Sequence, residues 1–263
     1  WLHIDRWDLE AHPFATQSAG ELTHNFNQVF LSMGGKFMGA FELPITIPIL
    51  AEGMQSFILV PGCVINGINA SKMRYPFVEN YQIDFELKLQ DTVFMKPVTR
   101  YFPNTKFLIE DFESPLMNLK ENQGDGYAKL TRSNDPTILK WGNFFGRVEI
   151  NAVDSLFVAN TSFGVNLPGQ NAEVFLELDI MNTNSMGTSV ISYNSVTGDF
   201  DDDINFQVNP QSDPRWRKMY ISLREIISFR QQANVNEQGL FALFDNRGED
   251  TFIYLDNLKV VYR

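Results

Sequence analysis

The chain has 263 residues, 21 of them Lys or Arg against 32 Asp or Glu, for a net charge of −11 and a pI near 4.7. That balance excludes a protein that tracks nucleic-acid phosphates or lies on an anionic membrane, and it favours neutral or cationic partners. No apolar run reaches the roughly 20 residues that span a bilayer, and no basic-then-apolar leader precedes Trp1. The single cysteine, Cys63, excludes an internal disulfide framework and a Cys-based zinc site. Its setting, Val60-Pro-Gly-Cys-Val-Ile-Asn-Gly67, points to a packed thiol rather than a nucleophile.

Aromatic residues make up 13% of the chain, with 23 Phe, and short β-like runs are punctuated by Gly, Pro, Asn and Asp, so the chain reads as all-β. The first candidate strands are Leu2–Trp7, Asn27–Ser32, Phe37–Leu43, Gln55–Val60, Lys72–Phe77 and Tyr81–Leu89, separated by Gly-Gly, Glu-Gly, Pro-Gly and Asn-Gly turns at the spacing of a small sandwich. Val93–Tyr101 adds another strand. Phe102-Pro-Asn-Thr-Lys106 is a polar connector whose proline cannot feed a central ladder, which places a domain boundary there and divides the chain into 1–103 and 104–263. In the second part, strands are expected at Phe107–Glu113, Arg147–Ala152, Glu173–Met181, Thr188–Asn194, Asn205–Val208, Trp216–Ser222 and Gly239–Phe244, with a Gly-rich passage from Gly124 to Tyr127. Leu223–Arg230, apolar at 223, 226 and 227, is the one short helix.

The chain closes on Thr251-Phe-Ile-Tyr-Leu-Asp-Asn-Leu-Lys-Val-Val-Tyr-Arg263, a strand with a carboxylate in an apolar row. Strict alternation puts Phe252, Tyr254, Asp256, Leu258 and Val260 on one face, so Asp256 is expected to be buried and to need donors or a cation.

Phe37-Met-Gly-Ala-Phe-Glu-Leu-Pro-Ile-Thr-Ile-Pro-Ile-Leu, Glu52-Gly53, Val60-Pro-Gly-Cys-Val-Ile-Asn-Gly-Ile-Asn and Arg74-Tyr-Pro-Phe occur in that order over residues 25 to 80. The string resembles the N-terminal immunoglobulin-like module of uncharacterised secreted or lipid-anchored bacterial surface proteins. The resemblance implies an extracytoplasmic location, with anchoring through a removed N-terminal segment. Leu108-Ile-Glu-Asp-Phe-Glu-Ser114, Trp216-Arg-Lys-Met-Tyr-Ile-Ser-Leu223 and Tyr254-Leu-Asp-Asn-Leu258 resemble the jelly roll of galactose-binding-like and carbohydrate-binding modules. Together these imply an immunoglobulin-like sandwich followed by a jelly-roll sandwich; the step from jelly roll to sugar is analogy.

Asp111 and Glu113 share strand parity with Phe107 and Ile109, and with Asp256 they are the candidate oxygen ligands of a structural calcium, which the jelly-roll resemblance also implies. The competing reading is that these acids accept backbone N–H bonds. Asp199-Phe-Asp201-Asp-Asp203 alternates like a calcium loop, but Ile204 and Pro210 stand where an EF-hand needs Gly and Glu, so a solvated acidic turn is expected. Glu177-Leu-Asp179 begins the Glu-x-Asp-x-x-Glu strand of laminarinase-like hydrolases, yet Asn182 holds the last position. Outward Glu177 and Asp179 beside inward Leu176, Leu178 and Ile180 explain the pattern without catalysis. His3, His12 and His24 all lie in the first 24 residues, and no Gly-x-Ser-x-Gly elbow is present. The rings placed to stack on a sugar are Trp141, Tyr127 and Tyr193, whereas Trp216 sits in a strand that packs. The expected function is non-catalytic glycan binding. A surface-complex adaptor with a protein partner, and an unrecognised glycoside hydrolase, are the alternatives.

Overall fold

The computed structural model describes residues 1–162, 164–169, 171–230, 232–245 and 251–263. Two units emerge, Trp1–Thr105 and Lys106–Arg263. Both are built from β-strands, and the fold class is the expected all-β one, with sandwich-type sheets.

The first unit holds β1 (Leu2–Ile4), β2 (Asp8–Glu10), β3 (Gln28–Met33), β4 (Lys36–Glu42), β5 (Ile45–Ile47), β6 (Gly53–Val64), β7 (Lys72–Arg74), β8 (Tyr81–Leu87), β9 (Val93–Met95) and β10 (Val98–Arg100). The long β6 organises it, with β3 and then β4 on one edge, and β8 and β7 end to end on the other. β1 lies between antiparallel β5 and parallel β9, and β2 pairs parallel with β10. Alternation sends Leu2, Ile4, Val29, Leu31, Phe57 and Leu59 inward, all fully buried. Cys63 is buried too, as a packed thiol requires. The single strand expected over Val93–Tyr101 is two strands. Pro97 lies between them with no N–H to donate, and its carbonyl instead accepts the Asp8 N–H, so the chain changes partner from β1 to β2 there.

The second unit holds β11 (Lys106–Glu110), β12 (Leu119–Glu121), β13 (Leu130–Ser133), β14 (Phe145–Ile150), β15 (Leu156–Thr161), β16 (Val174–Asn182), β17 (Met186–Tyr193), β18 (Phe200–Val208), β19 (Arg217–Ser222), α1 (Arg224–Phe229), β20 (Val235–Leu243) and β21 (Thr251–Tyr262). A back sheet runs β13-β14-β21-β16-β19, with β11 and β14 sharing one edge of β21. A front sheet runs β12-β15-β20-β17-β18. Leu176, Leu178, Ile180, Met219, Ile221, Ile253 and Leu255 of the back sheet meet Phe157, Ala159, Met186, Val190, Leu240 and Ala242 of the front sheet in one core. The helix forms where apolar spacing places it, with Ile227 buried.

Three local departures bear on the site. β11 ends at Glu110, because Phe112 takes a left-handed conformation (φ 59°), so Asp111 and Glu113 do not continue the face of Phe107 and Ile109. In β21 a bulge at Asn257 (φ 46°) shifts the register between the Asp179–Asp256 and Glu177–Lys259 pairs. Leu258 and Val260 therefore face the core with Ile253 and Leu255, while Asp256 lies on the other face. The acidic run is not a turn: β18 begins at Phe200 and carries Asp201, Asp202 and Asp203 within the sheet.

Candidate functional site

The acids expected to gather around calcium do other work. Glu113 reaches the loop before β14, where its carboxylate accepts the Asn143 backbone N–H at 2.6 Å, the Asn143 side-chain amide at 2.9 Å and the Phe144 N–H at 3.0 Å. Burial pushes its carboxyl up, but the Asn143 and Phe144 donors and nearby Arg132 outweigh that and hold it below the usual value. Gly142 (φ 56°) makes the approach possible, since a Cβ there would lie 2.2 Å from Glu113 Oε1. Asp111 accepts the Glu113 N–H at 3.2 Å. Buried Glu110, which the sequence did not single out, accepts the N–H groups of Phe112 and Asn118. Among the described residues no group of three or more His, Cys, Asp or Glu is placed to hold a metal ion. Asp111, Glu113 and Asp256 thus do not fit calcium as a set: Asp111 is engaged by the N–H of Glu113, Glu113 by the donors of the loop before β14, and Asp256 lies in a buried row of opposite charges.

That row crosses the back sheet on the face turned away from the core. Lys218 Nζ lies 3.4 Å from Glu177 and 3.6 Å from Asp179, with all three side chains at most 3% exposed. Asp256 stands opposite Asp179, and Lys259 opposite Glu177. Burial pushes the Asp256 carboxyl up to about 8, the neighbouring Asp179 and Glu113 charges add to this, and the Asn257 N–H and Lys218 oppose it. Asp256 is therefore protonated at neutral pH, which removes a like-charge repulsion across the Asp179 pair. Glu177 and Asp179 do alternate with inward Leu176, Leu178 and Ile180, but buried and paired to Lys218 they offer no water-facing carboxylates of the kind glycoside hydrolysis uses.

The three expected sugar-stacking rings are not brought together. Trp141 packs edge-on against Trp216 at 5.6 Å, with the Lys140 ammonium 4.4 Å from its ring centre. Trp216 in turn donates to the Ile138 carbonyl and packs with Phe145, Met181 and Tyr254 on the back sheet. Trp141 is thus partly buried, with Trp216 against one side of it. Tyr127 bridges to Leu156, whose partner Leu243 ends β20, whereas Tyr193 pairs with Val235 at the start of β20. The two tyrosines therefore mark opposite ends of the front sheet.

Tyr193 leads to the better site. In β17, Val190 faces the core, so Gly187, Ser189, Ile191 and Tyr193 share the outward face with their β18 partners Gln207, Ile204, Asp202 and Phe200. Phe200 is 64% exposed and Ile204 71%, two large apolar side chains presented to water on the edge strand β18. At the Tyr193 end a groove of about 390 Å³ is lined by Tyr193, Asn194, Asp199, Phe200, Phe229 and Arg230 among others. Arg230 is forked by Asp203 at 2.6 and 2.7 Å and meets Asp201 at 3.1 Å. The Arg230 hydrogen bond holds Asp203 below its usual value, burial notwithstanding. This pairing is how a strand tolerates three consecutive acids: Asp201 and Asp203 are neutralised on one side, and Asp202 faces water on the other. Sequence reasoning missed Phe200, Phe229 and Arg230; the Phe-Asp-Asp-Asp-Ile alternation was the available signal, masked by its charge.

No family model and no curated protein matches the sequence. Among solved structures, the chain is similar to a family 11 carbohydrate-binding module from Clostridium thermocellum in complex with a β-1,3-1,4-mixed-linked tetrasaccharide, at 14% identity over 59% of this chain and 94% of that one, with a TM-score of 0.41. It is similar to the K1 cleaved adhesin domain of Lys-gingipain from Porphyromonas gingivalis W83, at 14% identity over 60% and 99% of the two chains, TM-score 0.41. It is also similar, at 12% identity over 59% of its length and a TM-score of 0.41, to the CBM22-1–GH10 modules of Clostridium thermocellum xylanase 10B, of which the match spans 28%.

Proposed function

We propose that this protein binds glycans without acting on them, through the outward face of its front sheet. The observation that carries the reading is the Tyr193–Phe200 cross-strand pair, an exposed aromatic surface beside a groove that also offers Asn194, Asp199 and Arg230. A ring face matches the apolar face of a pyranose, and short polar side chains around it match hydroxyls. Catalysis is not part of the proposal, because Glu177 and Asp179 are locked against Lys218. An extracytoplasmic setting is proposed on the resemblance of the first unit to surface modules. The test is a broad polysaccharide array probed with the intact protein and with Phe200→Ala: specific binding lost in the variant supports the site, and binding equal in both removes it.

A second reading, docking to a protein through the first unit, is favoured by β4, which pairs with β3 on one side and leaves Phe37 57% and Met38 40% exposed. A blank array would move the weight there.

A further inference from the structure

The front sheet carries a second groove, at the other end of β17 and β18 from the first. It measures about 370 Å³ and is lined by Gly187, Ile204, Gln207, Phe241, Leu243 and Asp245, with others. Phe241 lies across Gly187, where a Cβ would come 2.1 Å from its ring, so the glycine is what lets this aromatic lie down on the sheet. Leu243 beside it is 66% exposed. Between the two grooves the central strands present Ser189 and Gly239, packed so closely that a Cβ at Gly239 would meet Ser189 Oγ at 2.2 Å. Small residues follow the second groove, and Ile191 with its β20 partner Glu237 stands between them and Tyr193, so the two grooves lie on one face of the sheet with apolar side chains at both ends. From Gly187 to Tyr193 the strand runs six residues, about 20 Å at the rise of a β-strand.

Charge narrows what can lie there. Among the described residues lining the two grooves, Arg230 is the one cation, and Asp201 and Asp203 already engage it. Asp199, Asp201 and Asp245 line the grooves, and Asp202 faces out between them. A polyanion would meet these acids with no free positive charge to offset them.

We propose that the outward face of the front sheet takes the interior of a neutral linear glycan lying along β17 and gripped at two stations, Tyr193–Phe200 and Phe241–Leu243, rather than a chain end held in one pocket. This rests on the glycan-binding reading above and adds ligand length, charge and a second station. Linking two weak stations through one chain raises affinity steeply with length, since the second contact becomes intramolecular once the first is made.

The experiment is calorimetric titration of the intact protein with cello-, xylo- and manno-oligosaccharides from disaccharide to hexasaccharide, with polygalacturonate as the charged comparison. Phe200→Ala and Leu243→Ala are tested beside the unmodified chain; both side chains are largely exposed, so both variants should fold, and their melting temperatures check it. The expected result is a hexasaccharide of one series binding at least about tenfold tighter than its disaccharide, with each variant weakening the hexasaccharide about tenfold and at most one affecting the disaccharide. Equal affinity across lengths, or a hexasaccharide indifferent to Leu243→Ala, overturns the two-station proposal and leaves glycan binding standing. Tighter binding of polygalacturonate than of every neutral series overturns the neutral-ligand assignment. No binding to any of these probes, together with a blank polysaccharide array, sinks the glycan reading itself.

Discussion

Replacing Asp256 by Asn should change how the stability of the second unit depends on pH. The folded carboxyl titrates at about 8, against an ordinary value of 3.8, because it is buried opposite Asp179. A group whose folded value is raised contributes stability that is fully present below its unfolded value and lost as pH rises towards the folded one. Between pH 5 and pH 8 the unfolded chain is ionised at this residue while the folded chain holds the proton, so each pH unit costs about 1.4 kcal/mol, or about 4 kcal/mol across the window. Asparagine keeps the shape and can still accept the Asn257 N–H that Asp256 now accepts at 2.7 Å, but it has no proton to lose. Urea unfolding of the wild type and Asp256→Asn, followed by tryptophan fluorescence at half-unit steps from pH 5 to pH 8, should therefore give a stability difference that grows steadily in favour of the variant as pH rises. Taking the difference cancels the titrations common to both chains. A difference that stays flat over this window would mean that Asp256 is ionised in the fold, and the account of the charge row would be wrong.

The other outcomes follow from the same contacts. Lys218→Ala leaves Glu177 and Asp179 buried without the ammonium between them and should destabilise the protein by about 3–5 kcal/mol, with Lys218→Arg recovering part of the loss in thermal unfolding. Glu113→Ala releases three N–H groups of the Asn143–Phe144 loop and should cost about 2 kcal/mol, whereas Glu113→Gln should cost less; a variant as stable as wild type in urea titration would contradict the anchoring role. Trp141→Ala should lower the melting temperature by removing a partner of Trp216, yet leave binding to any array-positive glycan unchanged. Loss of that binding would return Trp141 to the site.

Composition and alternation by themselves determined the class of this protein. Phe-rich runs broken by Gly, Pro and Asn could only bury their apolar faces as sheets, and the apolar spacing at 223, 226 and 227 was enough to mark α1. Asp256 was legible as a buried acid because its neighbours on both sides had to be inside. Its face was not legible, since a single extra residue at Asn257 reverses parity, and a bulge depends on the partner strand as much as on its own sequence. The short strands β12 and β13, whose residues are mostly polar, form because neighbouring strands supply their ladders, as β15 does for Leu119–Glu121. Tertiary structure alone decided the surface of interest. Arg230 arrives from the end of α1, across 27 positions of chain, to neutralise Asp203, and only that pairing turns an apparent wet acidic loop into an edge strand that displays Phe200. Local sequence states which side chains are charged or aromatic; which of them end up opposite one another is fixed by contacts between residues far apart in the chain, and the binding face is made of such contacts.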